Sequence, residues 1–189
     1  MTKSIQVFDK LLPPQLVSAV QEYFATDVRW KYGWPQGVND PFTHWNYDFL
    51  ETGLRNQEDM EHKLRGRPEY KPLTDIWDVL RAGPLHDQIL LRCYANAHTY
   101  GVEGYPHRDV EKDQVDNYTA VVYINPHWKT GWAGELDLFD QAGDTFFSVS
   151  PRPGRVAVIP GEFLHAARAV SRTCPAVRIC LAFKSRLLN

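Results

Sequence analysis

From His86 onward the chain is a succession of short apolar segments separated by turn residues, and this limits its fold more than any other feature. The segments are QILLRCYAN (88–96), GYPHRDV (104–110), YTAVVYIN (118–125), GELDLFD (134–140), DTFFSVS (144–150), GRVAVIP (154–160), FLHAARA (163–169) and AVRICLAFK (176–184). They are rich in β-branched and aromatic residues and are bounded by Gly, Pro, Asn and Asp, which is the composition of strands between tight turns. Nothing between them is long enough for the helix that a parallel crossover needs. The expected sheet is antiparallel, in a sandwich, jelly roll or barrel.

The first 86 residues have a different texture. Pro13-Pro14 opens an expected helix to about Ala25, with Leu16, Val17, Val20 and Phe24 at helical spacing. Trp30 to Leu50 is aromatic but broken by Gly and Pro, and reads as a long loop with short pieces of structure. The charged stretch NQEDMEHKLRGRPEY has room for a short helix, and its charge run from Glu58 to Arg67 reads as a solvated face. Leu73 to Gly83 reads as an amphipathic helix with Leu73, Ile76, Trp77 and Leu80 on its apolar side and Gly as its stop. The expected organisation is a helical, aromatic-rich cover (1–86) packed on a β core (87–189), the two forming one structural unit.

Composition narrows the function classes. With 21 Lys and Arg against 23 Asp and Glu, the formal net charge is -2. A near-neutral chain has no global field for nucleic acid, so none is expected as a partner. Three cysteines (Cys93, Cys174 and Cys180) form neither a disulfide framework nor a metal-binding spacing. The start of the chain lacks the apolar stretch of a signal peptide, and no run approaches the length of a membrane helix. The expected location is the cytoplasm.

Two places can carry chemistry. One is His107-Arg108-Asp109, and the other is His165 in FLHAARAV. On a strand, residues two apart share a face, so His107 and Asp109 can aim a nitrogen and an oxygen at one point. His165, one strand before the last, can add a second nitrogen. Two histidines and a carboxylate on one side of a metal leave the opposite positions open, as in non-haem Fe(II) oxygenases. Taken alone, a His-x-Asp triplet is weak evidence, because such triplets arise by chance.

The order of motifs around it is more specific. From Leu91 to Lys184, about half the chain, the sequence resembles the 2-oxoglutarate- and Fe(II)-dependent dioxygenases of the prolyl-hydroxylase-like branch. YPHRD resembles the family's metal-binding His-x-Asp, and TAVVYINPHW its strand with Tyr, Asn and a following Trp. GWAGELDLF resembles its Gly-Gly-Glu-Leu turn, with Ala133 in place of the first Gly. VSPRPGRVAVIPGEFLHAARAV resembles the segment leading to the distal histidine, and RICLAFK the strand that opens with the co-substrate Arg.

The resemblance implies a mainly β protein with N-terminal helices, built on a double-stranded β-helix, a jelly-roll or cupin-like barrel. It implies that His107, Asp109 and His165 are the catalytic metal ligands. Arg178 would pair with the distal carboxylate of 2-oxoglutarate, whose burial calls for a planar cation. Tyr123 would donate to the same carboxylate, and Tyr94 would line the pocket. Fe(II), 2-oxoglutarate and O2 are the implied cofactors, with ascorbate as an accessory reductant. Related halogenases carry a small residue at the Asp109 position, so a carboxylate here implies hydroxylation or a related oxidation.

Other residues keep two readings each. Arg168 and Arg172 are rivals of Arg178, and Arg168 reads equally as a substrate contact or a surface Arg. His98 reads as a surface histidine or a substrate contact, and Asn96 as a turn former or a substrate contact. Trp34 and Trp45 belong to the aromatic run Trp30, Tyr32, Trp34, Phe42, Trp45 and Tyr47, which either covers the sheet or forms a substrate lid. Arg155 reads as bracing a turn, and His127 as facing solvent. The expected substrate is a small molecule, with a protein side chain as the alternative. A non-catalytic jelly-roll module and a cupin-type hydrolase or isomerase using another metal are the competing classes. Oligomeric state is not legible in the sequence.

Overall fold

A computed structural model describes residues 4–26, 28–34, 43–53, 56–110 and 116–188 of this chain. The strands form two antiparallel sheets. The larger has the order β1 (Gln6–Phe8), β8 (Val156–Pro160), β5 (Asn117–Tyr123), β10 (Arg178–Leu187), β4 (Gln88–His98), β3 (His44–Asp48), β2 (Lys31–Trp34). The smaller has the order β7 (Thr145–Val149), β6 (Leu136–Phe139), β9 (Leu164–Ala167). These are the facing sheets of a jelly-roll barrel, as the turn-bounded apolar segments lead one to expect.

Strand alternation gives the large sheet two apolar faces. Residues of odd number on β10 and their partners face the helices: Phe183 pairs Cys93 on one side and Ala120 on the other, and all three are fully buried. Helix α1 (Pro14–Thr26) and α3 (Lys71–Ala82) cover this face, with α2 (Glu61–Arg65) beside them. Trp77 of α3 stacks on Phe183, centroids 5.9 Å apart at 18°. Deep burial of such rings is the main apolar stabilisation here, about 1.5–3 kcal/mol for each large side chain. Residues of even number on β10 face the small sheet: Cys180 joins Val121, Tyr123, Leu136, Leu138 and Ile159 in a second cluster. That interior holds the chemistry. Among the described residues no helix is long and apolar enough to cross a membrane.

Three elements differ from the sequence expectation. The stretch 30–50, expected to be mostly loop, contains β2 and β3, and β3 extends the large sheet by pairing β4 (Asn46 with Asn96). Gly33 lies inside β2 rather than at a break, and sheet hydrogen bonds recruit the short aromatic segments as strands, β3 against β4 and β2 against β3. The short β1 also joins the sheet, against β8. The segment 104–110, expected to be a strand, pairs only through the isolated bridge His107–His165.

The turn at Ala133 is strained. Its φ of 55° and ψ of -147° lie close to a region used almost only by Gly. Ala133→Gly is expected to stabilise the protein by about 1 kcal/mol, the relieved strain exceeding the entropic cost of glycine. Thermal unfolding should show a Tm higher by about 2–4 °C; a lower Tm would mean that Ala133 is not strained.

Candidate active site

His107 and His165 are held by each other. Each backbone N–H donates to the other's carbonyl at 3.0 Å. This hydrogen-bonded antiparallel pair places both side chains on one face, with ring centroids 4.5 Å apart. His165 is fixed further by its register opposite Leu138 of β6, whose side chain lies in the interior cluster. Asp109 sits in a bend rather than on a strand. Its backbone N–H donates to Gly161 at 2.9 Å, and Thr119 and Lys184 aim its side chain. Thr119 Oγ1 donates to Asp109 Oδ2 at 2.5 Å, and Lys184 Nζ donates to Oδ1 at 2.6 Å. Strand alternation, the expected reason for the meeting of His107 and Asp109, is therefore replaced by side-chain contacts from β5 and β10.

The result is a set of three donors whose ligand atoms all lie within 4.8 Å of one another. His107 Nε2 is 3.6 Å from Asp109 Oδ1, and His165 Nε2 is 3.9 Å from Oδ2. The Nδ1 atoms of His107 and His165 lie 2.8 Å from the carbonyls of Tyr105 and Phe163. Each carbonyl can only accept, so Nδ1 carries the proton and Nε2 presents its lone pair. Burial pushes His165 down to about 4, with the Asp109 charge opposing, so this imidazole stays neutral. Burial alone would raise the Asp109 carboxyl. The Lys184 ammonium overcomes this and holds it well below the usual carboxylate range. Two neutral imidazole nitrogens and one carboxylate fit Fe(II) and leave coordination positions for exogenous oxygen ligands.

Arg178 opens β10 and points into the same interior, 1% exposed. Asn125 clamps the backbone on both sides of it. Asn125 Nδ2 donates to the Val177 carbonyl and Oδ1 accepts from Ile179 N–H, both at 2.7 Å. The guanidinium lies 5.3 Å from the Tyr123 ring centroid, and no acidic side chain among the described residues pairs with it. Its Nε has no hydrogen-bond partner among the described residues. A buried cation with an unmet donor fits an incoming carboxylate. Gly134 makes the room: at φ +82°, a Cβ there would sit 2.9 Å from Arg178 Cδ.

The remaining candidates fall in several places. The buried Tyr123 has its phenol pushed up to about 12, and it donates to the Val149 carbonyl at 3.1 Å in this structure. Tyr94 is inward too, but it neighbours Lys184, 5.8 Å from its ring, rather than Arg178. Asn96 faces inward and accepts from Asn46 Nδ2 at 2.9 Å. His98 is 1% exposed, so it is no surface histidine. Arg168 is 45% exposed and ion-paired to Glu103 at 2.6 Å and Asp137 at 3.5 Å. Its charge is thus already matched, and Arg172 is exposed. Arg155 pairs bidentately with Asp9 and donates to the Ser150 carbonyl, bracing that turn.

The register puts Trp45 on the outer face of the sheet, where its ring meets Tyr32 at 5.0 Å. Trp30 and Tyr47 pack on the helix-side core. The side chain of Trp34 and all of Phe42 lie outside the described residues. His127 is exposed.

Sequence reasoning assigned no role to Thr119, Lys184 or Asn125. Lys184 carried a signal: a lysine at the inward parity of an apolar strand, two steps beyond Cys180 and Ala182. Asn125 stood within a recognised motif, but its work on the β10 backbone needs residues 52 and 54 positions away.

Comparison with known proteins agrees with this geometry. A family model described as the 2OG-Fe(II) oxygenase superfamily matches residues 93–183. No curated protein matches the sequence. Among solved structures, a Pseudomonas putida prolyl-4-hydroxylase has 20% identity and a TM-score of 0.64, covering 99% of this chain and 94% of its own. A Trichoplax adhaerens prolyl hydroxylase in complex with a hypoxia-inducible-factor peptide has 16% identity and a TM-score of 0.68, covering 98% and 84%. The non-haem α-ketoglutarate-dependent epimerase SnoN of nogalamycin biosynthesis has 13% identity and a TM-score of 0.62, covering 98% and 79%. At these identities the likenesses establish the jelly-roll fold. Over residues 93–183 the chain accordingly carries a 2OG-Fe(II) oxygenase domain, and the protein is an oxygenase enzyme of the 2-oxoglutarate-dependent non-haem iron kind.

Proposed function

We propose that the enzyme hydroxylates, or otherwise oxidises, an unactivated C–H bond of a small molecule such as an amino-acid derivative or natural-product intermediate. The observation that carries the chemistry is the pairing, in one interior, of the His107–Asp109–His165 donor set with the unmatched cation Arg178. His107, Asp109 and His165 would hold Fe(II). When bound, Fe(II) supplies the site at which oxidative decarboxylation of 2-oxoglutarate to succinate is coupled to C–H oxidation.

The protein residues orient and exclude. Arg178 binds the distal carboxylate and fixes the co-substrate's direction. Tyr123 is within the same pocket and reaches that carboxylate by exchanging its bond to Val149 for a new one. The apolar walls from β5, β6 and β8 keep water from the reacting end. Thr119 and Lys184 hold Asp109 in its charged, inward orientation. A full carboxylate ligand supports hydroxylation rather than halide transfer.

The small-molecule reading is supported by the likeness to SnoN, named for a natural-product pathway. Oxidation of a protein side chain is the second reading, favoured by the likeness to a prolyl hydroxylase in complex with a peptide. Three free thiols support a reducing, cytoplasmic setting.

Aerobic incubation with Fe(II), ascorbate and 2-oxoglutarate should yield succinate, at a slow uncoupled rate without substrate and faster when the right compound is supplied. Absence of both succinate and iron-dependent 2-oxoglutarate binding would reject the reading. Screening amino-acid derivatives against proline-containing peptides for stimulation separates small-molecule from protein substrates.

A further inference from the structure

The interior beside Arg178 holds a second donor without an acceptor. His98 of β4 is the Cα partner of Arg178 across the sheet, and both side chains are 1% exposed. Arg178 Nη1 lies 3.3 Å from His98 Nδ1. A guanidinium nitrogen can only donate, so Nδ1 is the acceptor and the imidazole proton resides on Nε2. Burial, then the Arg178 charge and His44, keep the ring neutral, well below the usual histidine range. The Nε2–H so defined has no hydrogen-bond partner among the described residues, and neither has Arg178 Nε.

Orphaned buried donors are rare because each forfeits its hydration for nothing. Two of them, on facing residues of adjacent strands, are explained together if one acceptor-rich group meets both. A carboxylate has two oxygens and about four acceptor positions. The His44 ring meets His98 edge-on at 5.0 Å, and Gly134, with Trp128 beside it, lies against the Arg178 stem.

We infer that His98 is a co-substrate-binding residue that donates from Nε2 to the distal carboxylate of the 2-oxo acid held by Arg178. This rests on the reading that Arg178 binds that carboxylate. His98 has two linked tasks: Nδ1 steers Nη1 of Arg178, and Nε2 supplies a neutral donor to the bound anion. The arrangement selects a dicarboxylic 2-oxo acid over a monocarboxylic one, because only the former satisfies both donors.

The test is calorimetric binding under anaerobic conditions to the Fe(II)-loaded protein, with 2-oxoglutarate and with 2-oxopentanoate, which lacks the distal carboxylate. The wild type should prefer 2-oxoglutarate strongly. His98→Asn keeps an amide oxygen near the Nδ1 position and loses the Nε2 donor, while His98→Phe loses both. Both variants should bind 2-oxoglutarate at least tenfold more weakly and 2-oxopentanoate unchanged, the latter showing that the site has folded. If His98→Asn binds 2-oxoglutarate like wild type, direct donation is wrong, whatever His98→Phe does. If Arg178→Ala loses the preference and neither His98 variant does, the His98 inference falls while the Arg178 reading stands. If the wild type itself shows no preference, both fall.

Discussion

Asp109→Ala is expected to abolish succinate formation and to destabilise the protein, and the second effect is traceable to Lys184. The Lys184 ammonium lies 2.6 Å from Asp109 Oδ1, and its side chain is only 16% exposed. Burial alone would push the lysine down, and Asp109 reverses this and keeps it charged. Breaking a buried ion pair by deleting one partner strands the other, at about 3–5 kcal/mol. The lower end applies here, about 3 kcal/mol, because a long lysine stem can carry its head toward solvent. Lys184→Met alone should also destabilise, since it strands the carboxylate. The double variant Asp109→Ala/Lys184→Met should recover most of the loss, with no recovery of activity. Urea unfolding of the four proteins closes the cycle. Additive losses would show that the two residues do not act as a pair.

Arg178→Ala is expected to weaken 2-oxoglutarate binding by about 10²–10³-fold, the usual consequence of leaving a buried carboxylate without its cation. Its effect on the ligand-free protein should have the opposite sign from that of Asp109→Ala. Arg178 has no acidic partner among the described residues, so its burial costs stability that only a ligand offsets. Arg178→Met, which keeps the apolar stem, should leave the Tm unchanged or raise it while removing 2-oxoglutarate binding. Function and stability are opposed at this position. A Tm drop as large as that of Asp109→Ala would point to an internal role for Arg178 instead. If Arg168→Ala or Arg172→Ala produces the affinity loss, the cation has been misassigned, although Arg168 is already matched by Glu103 and Asp137.

The strands from 88 to 187 were legible because β-branched and aromatic composition and turn residues are local properties. Helices α1 and α3 were legible for the same reason, from Pro at one end, Gly at the other and a 3.6-residue apolar repeat. Strands β1, β2 and β3 were not, because short segments become strands only when a neighbour offers free backbone groups. Segment 104–110 failed in the other direction: its residues have strand composition, but apart from the bridge of His107 to His165 it makes only scattered backbone bonds, from Gly104 to Ala167 and from Asp109 to Gly161.

At the candidate site the order of motifs, more than any one residue type, announced the chemistry. The family resemblance, carried by the order of motifs, implied a His-x-Asp and a later His as donors and an Arg heading the last strand as the cation, with Arg168 and Arg172 left as rivals. What the sequence alone determined was therefore an inventory: two imidazoles, one carboxylate, a guanidinium, and an antiparallel sheet to carry them. The tertiary structure decided which of these lack internal partners. Lys184 and Asp109 are 75 positions apart, His98 and Arg178 are 80, and Arg168 is matched by Glu103 from 65 residues upstream. Charge matching and donor satisfaction are contact properties set by sheet register, and a linear pattern contains no measure of them. The same arginine is a surface brace or a ligand clamp according to whether the folded chain has already supplied its carboxylate.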